Sequence, residues 1–336
     1  MEVEEKKKTI DDFVTKVVLG KGTYAKVVLV KKKDNNKYYA MKMIKKEKLQ
    51  KQRQIDNVLI ERNVLEGMNH PFIIKLYYSF QTQYKFYFIL EYCPGGELFS
   101  LLKKCQVFTE DQTRFYIAQI IVALEYLHSN DIIYRDLKPE NVMIDVEGYI
   151  RITDFGLSKN KLEGDKLAYS ICGTPEYMAP ELLRQEGYAK PADWWTLGAL
   201  VYECLTGTPP FYLQNQAQMF QQILSAQLQF PSYLSNNCIN FIDGLLQKNP
   251  QQRLGYNGAH EVKQHPWLMN INWDILLSKQ YRPPFIPVID QDFGLSYFDD
   301  QFKNMPVDSW TNSIKDGPGR NVEGFTYINN ENTEEL

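Results

Sequence analysis

The pattern of apolar and polar positions changes near residue 93. Before it, short runs rich in β-branched and aromatic residues are separated by turn residues, a pattern that favours strands. Residues 52–67 differ, because their apolar positions recur with a period near 3.6 and end at Gly67, which predicts a helix. The strand runs are 13–20, 25–32, 38–44, 72–80 and 85–90.

After residue 93 the pattern becomes helical. Thr109 and Gln112 have the spacing of a capping box, which predicts a helix that begins there. A second helix is predicted from Pro191 to Gly207; it is apolar nearly all round, which indicates burial in the centre of a domain. Residues 268–336 show little periodicity but are too rich in aromatic residues for a solvated linker. We expect them to form an extended segment that wraps the globule.

Composition narrows the class of protein. The chain has 336 residues, of which 44% are hydrophobic and 24% charged, a balance typical of globular proteins with a substantial core. The net charge of −3 disfavours general nucleic-acid binding. Five cysteines without a CxxC spacing disfavour a disulfide framework or a zinc knuckle and favour the reducing cytosol or nucleus. The start lacks the apolar region of a secretory signal, and no apolar run reaches the roughly 18 residues of a membrane span.

Three segments carry candidate chemistry. GKGTYAKV (20–27) is a glycine-containing turn between strands, YRDLKPEN (134–141) crowds an Asp, a Lys and an Asn, and DFG (154–156) follows an apolar run. Each is weak alone, since glycine turns occur in many hairpins, polar turns are ordinary and DFG occurs by chance. In this order, with Lys42 on the third strand and APE at 179–181, they resemble the signature set of a protein kinase. A P-loop NTPase is disfavoured because GxxxxGK[ST] is absent.

The resemblance implies an α+β, bilobal protein kinase fold. The kinase domain would span 13–267, with a small β-rich N-lobe at about 13–92 and a larger helical C-lobe at about 93–267. Tyr134 in place of the usual His, EYCPGGELF (91–99) and CGTPEYMAPE (172–181) resemble the AGC group of serine/threonine kinases. The C-terminal tail, 268–336, carries turn and hydrophobic motifs most like those of protein kinase B and the ribosomal-protein kinases.

Kinase chemistry gives the phosphate-side residues their roles. Backbone N–H groups of Gly20, Lys21 and Gly22 would approach the ATP phosphates, since glycine places no side chain in the way. Lys42 would contact the α and β phosphates. A flexible lysine needs a carboxylate to hold it, and Glu61 matches that partner; by position alone Glu61 could equally be a solvated helix acid.

The resemblance also assigns the catalytic and metal-binding residues. Asp136 would accept the proton of the substrate hydroxyl, and Lys138 would stabilise charge on the transferred phosphoryl group. Asp154 and Asn141 would bind Mg²⁺, a hard cation that prefers oxygen ligands.

A further set would surround the nucleotide. Plain core packing would also explain the apolar members of this set, and Glu97 would also be one of the acids that read substrate arginines. The apolar walls would be Val27, Ala40 and Met143, and the residue that guards the back of the pocket would be Leu90. The hinge would be Glu91 and Cys93, followed by the acid Glu97, and the tail would contribute the aromatic ring of Phe298.

Regulation would act through phosphorylation. Ser170, between DFG and APE, would take the activating phosphate from an upstream kinase and pair it with Arg135 and Lys159; the alternative is an ordinary loop serine. Ser309 in the turn motif and Thr326 in the hydrophobic motif are the other candidates.

Three positions depart from the family pattern. Ala25 replaces the third glycine of the turn, Val322 stands where Phe is preferred, and Trp310 follows Ser309 where Pro is common.

Partners and structural braces complete the expectations. The substrates would be proteins with Ser or Thr acceptors and arginines N-terminal to them, read by Glu97, Glu140 and Glu203; each of these could instead be a surface acid. Glu181 with Arg253 would tie the activation segment to the large lobe, and Asp193 would brace the catalytic loop. A monomeric, cytoplasmic or also nuclear kinase is expected, with a non-catalytic kinase-like scaffold as the alternative.

Overall fold

The computed structural model describes residues 8–22, 24–49, 51–160, 174–187, 189–289, 293–307 and 321–329. The chain divides into two compact units. The first comprises Met1–Asn69, Ile74–Pro94 and Ile289–Leu336, and the second comprises His70–Ile73 and Gly95–Val288. The first is built on an antiparallel sheet and the second is mainly helical, so the predicted α+β fold is confirmed.

In the part of the chain that the structure describes, the sheet of the first unit has six strands, each antiparallel to its neighbours, in the order β1-β2-β3-β5-β4-β10. Its last strand comes from the C-terminal tail. The predictions for β2 and β5 match the observed bounds, and those for β1 and β3 end one residue early. The strands are β1 Phe13–Lys21, β2 Ala25–Lys32, β3 Tyr38–Lys45, β4 Leu76–Gln81, β5 Lys85–Leu90 and β10 Tyr327–Ile328.

The predicted strand at 72–80 is wrong at its start, because β4 begins only at Leu76. Phe72 and Ile73 are buried in the second unit instead. The carbonyl of Phe72 accepts the N–H of Ile152 at 2.9 Å, and Ile73 forms a parallel bridge with Ile152. An apolar run shows that residues are buried but not which partner they are buried against. The sequence pattern therefore joined residues 72–73, which pair with Ile152, to the strand that begins at Leu76.

Helix α1, Gln52–Glu66, belongs to the first unit and ends at Gly67 as predicted. One hydrophobic cluster of this unit lies on one side of the sheet, where Phe13, Tyr39 and Phe80 pack with buried side chains of β2 and β3. Tail residues Phe302 and Met305 cover part of this core. The tail therefore contributes apolar contacts to the first unit, as its aromatic content indicates.

Among the described residues, the second unit contains most of the helices and two short antiparallel strand pairs. β7 and β8 form a hairpin, and β6 pairs with β9, which follows β8 in the chain. Its elements are α2 Leu98–Cys105, α3 Glu110–Ser129, β6 Ile132–Ile133, β7 Val142–Ile144, β8 Ile150–Ile152, β9 Lys159–Asn160, α4 Pro180–Leu183, α5 Pro191–Thr206, α6 Gln216–Ser225, α7 Asn236–Leu245, α8 Ala259–Lys263 and α9 Trp273–Leu277.

The two long helices behave as predicted. The Thr109 hydroxyl accepts the Gln112 N–H at 3.2 Å, and the Gln112 side chain accepts the Thr109 N–H at 2.9 Å, so the capping box is confirmed. Helix α5 is buried along almost its whole length and ends at Gly207. Gly207 has φ of 83°, and a Cβ there would lie 2.9 Å from the Gln106 carbonyl oxygen, so this helix end requires glycine.

The tail contains α9 and a further short helix, α10 Asp300–Lys303, besides strand β10. Its residues up to Val288 belong to the second unit and those from Ile289 belong to the first. Among the described residues, no helix is long and apolar enough to cross a membrane.

Candidate active site

The glycine turn leaves its backbone open. Gly20 lies near the end of β1, and the Gly22 N–H donates to the Ala25 carbonyl at 2.9 Å. A Cβ on Gly20 would meet nothing within 4 Å, and one on Gly22 would meet only the Ala25 oxygen at 3.9 Å. Among the described residues, no contact explains these glycines, so the space beside them can admit a ligand. Ala25 lies in β2 opposite Ile44 and lacks a positive φ, so replacement of the third glycine causes no backbone strain.

Lys42 and Glu61 form the ion pair that the sequence predicts. Lys42 lies in the middle of β3, opposite Val27 of β2 and Phe88 of β5. Glu61, on α1, is 3% exposed, and its Oε1 lies 2.7 Å from the Lys42 Nζ. A carboxylate this buried is stable only with a close partner, so a solvated helix acid is excluded.

Tyr38, Ala40 and Lys42 alternate along β3 and therefore lie on one face of the sheet. Ala40 is opposite Leu90 of β5. Just after β5, Cys93 is 3% exposed, and the Glu91 N–H donates to the Lys75 carbonyl at 2.9 Å. The tail ring of Phe298 stacks on Tyr92, with centroids 6.1 Å apart. These nucleotide candidates all belong to the first unit, whereas Met143 lies in β7 of the second.

A buried aspartate on α5 fixes the backbone of Tyr134 and Arg135. Asp193 is fully buried; its Oδ2 accepts the Tyr134 N–H and its Oδ1 the Arg135 N–H, both at 2.9 Å. The same carboxylate lies 2.7 Å from His128 Nε2. Arg135 has φ of 71°, a strained conformation for a non-glycine residue that these hydrogen bonds maintain.

The side chains of Lys138 and Asn141 both lie within hydrogen-bonding distance of Asp136. Asn141 Nδ2 donates to Asp136 Oδ2 at 2.8 Å and to the Asp136 carbonyl at 2.8 Å. Lys138 Nζ lies 3.2 Å from Asp136 Oδ2 and donates to the Thr174 hydroxyl at 3.0 Å. The crowding expected from the sequence is therefore present in space.

Burial raises the pKa of Asp136 above its usual value. Lys138 and Asn141 oppose this shift, and the nearby charge of Asp154 adds to it. A desolvated carboxylate whose pKa is raised is a better proton acceptor than an exposed one.

Two side chains could offer oxygens to a metal. The Asn141 NH₂ group is used by Asp136, which leaves its Oδ1 as the available acceptor. Asp154 follows β8 with φ of 61°, again a constrained conformation. Among the described residues, no group of three or more His, Cys, Asp or Glu side chains is placed to hold a metal ion. A metal here would need further oxygens from a ligand, as Mg²⁺ takes them from phosphates.

A cluster of acids surrounds Glu203 on α5. Glu203 is 6% exposed, and the Tyr177 hydroxyl donates to its carboxylate. Burial raises the pKa of Glu203 to about 7, and the charges of Glu140 and Glu176 contribute to this. Glu97 precedes α2 and forms an isolated bridge with Met143. The sequence had indicated Glu97, Glu140 and Glu203, but not Tyr177 and Glu176, whose only signal was their position within CGTPEYMAPE.

Arg253 and Glu181 form a two-pronged buried ion pair. The guanidinium NH groups donate to Glu181 Oε1 at 2.7 Å and Oε2 at 2.9 Å. Arg253 also donates to the carbonyls of Gln247 and Pro191 at 3.0 and 2.9 Å. The guanidinium thus connects the start of α4 to α5 and to the loop after α7.

The hydrophobic motif around Phe325 and Thr326 is docked on the sheet of the first unit. Phe325 is fully buried, with ring centroids 4.5 Å from Phe86 and 5.3 Å from Phe88. The Ser79 hydroxyl donates to the Phe325 carbonyl at 2.6 Å. Arg62 of α1 donates to the Thr326 carbonyl at 3.4 Å and lies over the ring of Tyr327.

Val322 is held through its backbone. Gln81 donates to the Val322 carbonyl at 2.5 Å and accepts the Val322 N–H at 3.0 Å. Neither bond uses the Val322 side chain, so the departure from Phe at this position does not prevent docking.

Several predicted positions lie outside the described residues. They are Ser170, Cys172, Ser309 and Trp310. Lys159 is described only as part of the backbone of β9.

Comparison with known proteins identifies the family. The family model described as "Protein kinase domain" matches residues 13–268. The chain is 45% identical to "Protein kinase 2" of Dictyostelium discoideum, over 95% of this chain and 68% of that protein. It is 43% identical to "Serine/threonine-protein kinase YPK1" of Saccharomyces cerevisiae, over 96% and 48%, and 44% identical to human "RAC-beta serine/threonine-protein kinase", over 90% and 63%. It thus spans from about half to two thirds of their lengths. The chain belongs to the protein kinase family, in its AGC group of serine/threonine kinases.

Proposed function

We propose that the chain transfers the γ-phosphoryl group of Mg-ATP to Ser or Thr hydroxyls of proteins that carry arginines N-terminal to the acceptor. The observation that carries this is the contact of Asp136 with Asn141 at 2.8 Å and Lys138 at 3.2 Å. It supports the proposal because it brings a carboxylate, an amide and a cation close together, and in-line phosphoryl transfer needs a base, a metal ligand and a positive charge around one point. A non-catalytic scaffold would have no need for all three.

Asp136 serves as the proton acceptor. Its carboxylate orients the substrate hydroxyl and takes its proton as the oxygen attacks phosphorus; the bond from phosphorus to the leaving ADP oxygen breaks. Its raised pKa keeps the acceptor basic, while Asn141 fixes its orientation. Lys138 stabilises the charge of the transferred group from a position already set by Asp136 and Thr174.

The first unit supplies the nucleotide contacts. The open backbone of Gly20 and Gly22 approaches the phosphates, and Lys42, held by Glu61, neutralises them. The adenine is then contacted by Val27, Ala40, Leu90, Glu91 and Cys93, as the resemblance implies.

Asn141 Oδ1 and the Asp154 carboxylate would hold Mg²⁺. Their oxygens suit a hard cation, and the fixed amide of Asn141 directs its free oxygen away from Asp136. When bound, the ion would neutralise phosphate charge; the protein contributes by holding Asn141 through its hydrogen bonds to Asp136 and Asp154 through its constrained backbone.

The acids around Glu203 read basic residues of the substrate. Burial raises the pKa of Glu203 and the charges of Glu140 and Glu176 add to the shift, a cost that a bound arginine would relieve. The hydrogen bond from the Tyr177 hydroxyl orients the Glu203 carboxylate towards the substrate arginine.

Phosphorylation regulates the activity. An upstream kinase acts on Ser170, and phosphates on Ser309 and Thr326 secure the tail. Arg62 and Lys46 provide the cations near the hydrophobic motif: Arg62 contacts the Thr326 carbonyl, and Lys46 donates to Gln81 at 2.7 Å. The kinase acts as a monomer on protein substrates.

Transfer of labelled γ-phosphate to an arginine-containing serine peptide tests the proposal. Transfer that requires Mg²⁺ and the peptide supports it. ATP binding without transfer, after phosphorylation of Ser170 and Thr326, would favour the scaffold.

A further inference from the structure

Residues 293–298 of the tail form a loop around Tyr92. The Tyr92 hydroxyl donates to the Phe293 carbonyl at 2.9 Å, and the Tyr92 ring stacks on Phe298. One side chain thus contacts both ends of the segment. All of these residues belong to the first unit.

The start of this loop is fixed by a second aromatic contact. The Phe293 ring lies 4.3 Å, centroid to centroid, from the ring of Tyr38. Lys31 Nζ lies 5.9 Å from the same Tyr38 ring. Tyr38 shares its face of β3 with Ala40 and Lys42, so Phe293 packs at the end of the sheet face that carries the nucleotide candidates.

Gly294 allows the close approach. It has φ of 80°, and a Cβ would lie 2.9 Å from Pro94 Cβ and 3.0 Å from the Pro94 oxygen. A 3-10 turn at Leu295–Tyr297 then brings the chain back to Phe298, and Lys303 donates to the Leu295 carbonyl at 3.0 Å. Any side chain at 294 would both strain the backbone and push the tail from Pro94.

We propose that Phe293 and Gly294 form an anchor that positions Phe298 for the nucleotide. This rests on the proposed function, because ATP must bind for Phe298 to contact the nucleotide as the family resemblance implies. The anchor uses an aromatic pair, a neutral hydrogen bond and a left-handed glycine, so it operates without a phosphate. Phe293 and Gly294 are positioning residues: they act through Phe298 and the backbone that carries it.

The anchor makes a specific kinetic prediction. Phe293→Ala should raise the KM for ATP about 3- to 10-fold, the effect of losing one aromatic pair, and change kcat less than about twofold. The KM for the peptide should not change. Gly294→Ala should give the same pattern, and Phe293→Tyr should restore the wild-type KM for ATP. The matched control is Ser296→Ala, an exposed position in the same segment.

Hydrogen exchange supplies a readout that does not depend on catalysis. The N–H groups of Tyr297 and Phe298 donate to the carbonyls of Gly294 and Leu295 at 3.2 and 3.1 Å. Both should exchange faster in Phe293→Ala, while amides of β3 keep their wild-type rates.

The outcomes separate the two claims. If wild-type protein transfers phosphate but Phe293→Ala leaves the KM for ATP and the exchange of residues 297–298 unchanged, the anchor is refuted and the proposed function stands. The anchor would also be refuted if Phe293→Ala lowers the melting temperature and kcat but leaves the KM for ATP unchanged, because loss of a merely structural residue gives that result. If wild-type protein transfers no phosphate, the proposed function fails, and unchanged affinity for ADP in Phe293→Ala would overturn the anchor independently.

Discussion

Lys42 Nζ and Glu61 Oε1 are 2.7 Å apart, with the Glu61 side chain 4% and the Lys42 side chain 14% exposed. The pair joins the centre of β3 to α1, so the position of the helix and the aim of the lysine are coupled. A buried pair of this kind is costly to break, because either partner alone is an uncompensated charge.

Lys42→Met should lower kcat by about 10²- to 10³-fold, as loss of one preorganised cation does. Glu61→Gln retains a hydrogen bond but loses the charge, so a smaller loss of about tenfold is expected. Steady-state phosphate transfer measures both. Equal activity of Lys42→Met and wild type would exclude a role of the pair in catalysis.

The pH dependence of kcat should report Asp136. Its pKa is raised, and the carboxylate is the active form, so activity should be lost on acidification at a pH above that of an ordinary aspartate, about 3.9. Lys138 lowers this pKa, so Lys138→Met should move the acid limb to higher pH as well as reduce kcat. Lys103→Met, at an exposed lysine of α2, is the control and should leave the limb in place. An unmoved limb in Lys138→Met would show that another group titrates.

Recognition of arginine should weaken on acidification near neutrality. The pKa of Glu203 is raised to about 7, so its carboxylate is charged above that pH and protonated below it. The KM for an arginine-containing peptide should therefore rise between pH 8 and pH 6. Glu203→Gln should show a high KM without this rise, and a peptide with glutamine for arginine should show none with either protein. The same pH profile for both peptides would contradict the assignment.

Phosphate on Thr326 should act through Arg62. Arg62 donates to the Thr326 carbonyl and lies 5.6 Å over the ring of Tyr327. Phosphorylation of Thr326 should raise the melting temperature and activity of wild-type protein, whereas Arg62→Ala should reduce that gain. Phe325→Ala removes a fully buried ring and should abolish the gain. A full gain in Phe325→Ala would mean that the phosphate acts elsewhere.

Arg253 and Glu181 should matter for stability. Arg253→Met leaves the Glu181 carboxylate buried and unpaired, a change that typically costs about 3–5 kcal/mol. Arg253→Lys cannot form the two parallel bonds and should be intermediate. Chemical denaturation followed by tryptophan fluorescence measures both, since Trp195 lies under the guanidinium. A wild-type denaturation midpoint in Arg253→Met would contradict a stabilising role of the Arg253–Glu181 pair.

Much of the molecule could be predicted from its sequence. Runs rich in β-branched and aromatic residues predicted the bounds of β2 and β5, the nearly all-apolar run from Pro191 to Gly207 predicted α5, and the spacing of Thr109 and Gln112 predicted the start of α3. Local patterns suffice where a residue's partner is near in sequence or where a motif has one common geometry.

Features that depend on distant partners could not be predicted. The buried run at 72–74 looks like part of β4, yet Phe72 belongs to the second unit, where its carbonyl accepts the N–H of Ile152. Gln81 holds the backbone of Val322, a contact 241 residues apart that no side-chain pattern encodes. Likewise, Tyr177 reads as an ordinary aromatic until its hydroxyl is seen on Glu203.

The most direct test of the account is phosphate transfer by wild type and Asp136→Asn. The chain phosphorylated at Ser170 and Thr326 would be assayed with Mg-ATP and an arginine-containing serine peptide, and ADP affinity would be measured in parallel. The account predicts transfer by wild type and a loss of about 10²- to 10⁴-fold in Asp136→Asn with unchanged ADP affinity. Equal transfer by both proteins would contradict the placement of the chemistry at Asp136, and no transfer by either would contradict the proposed function.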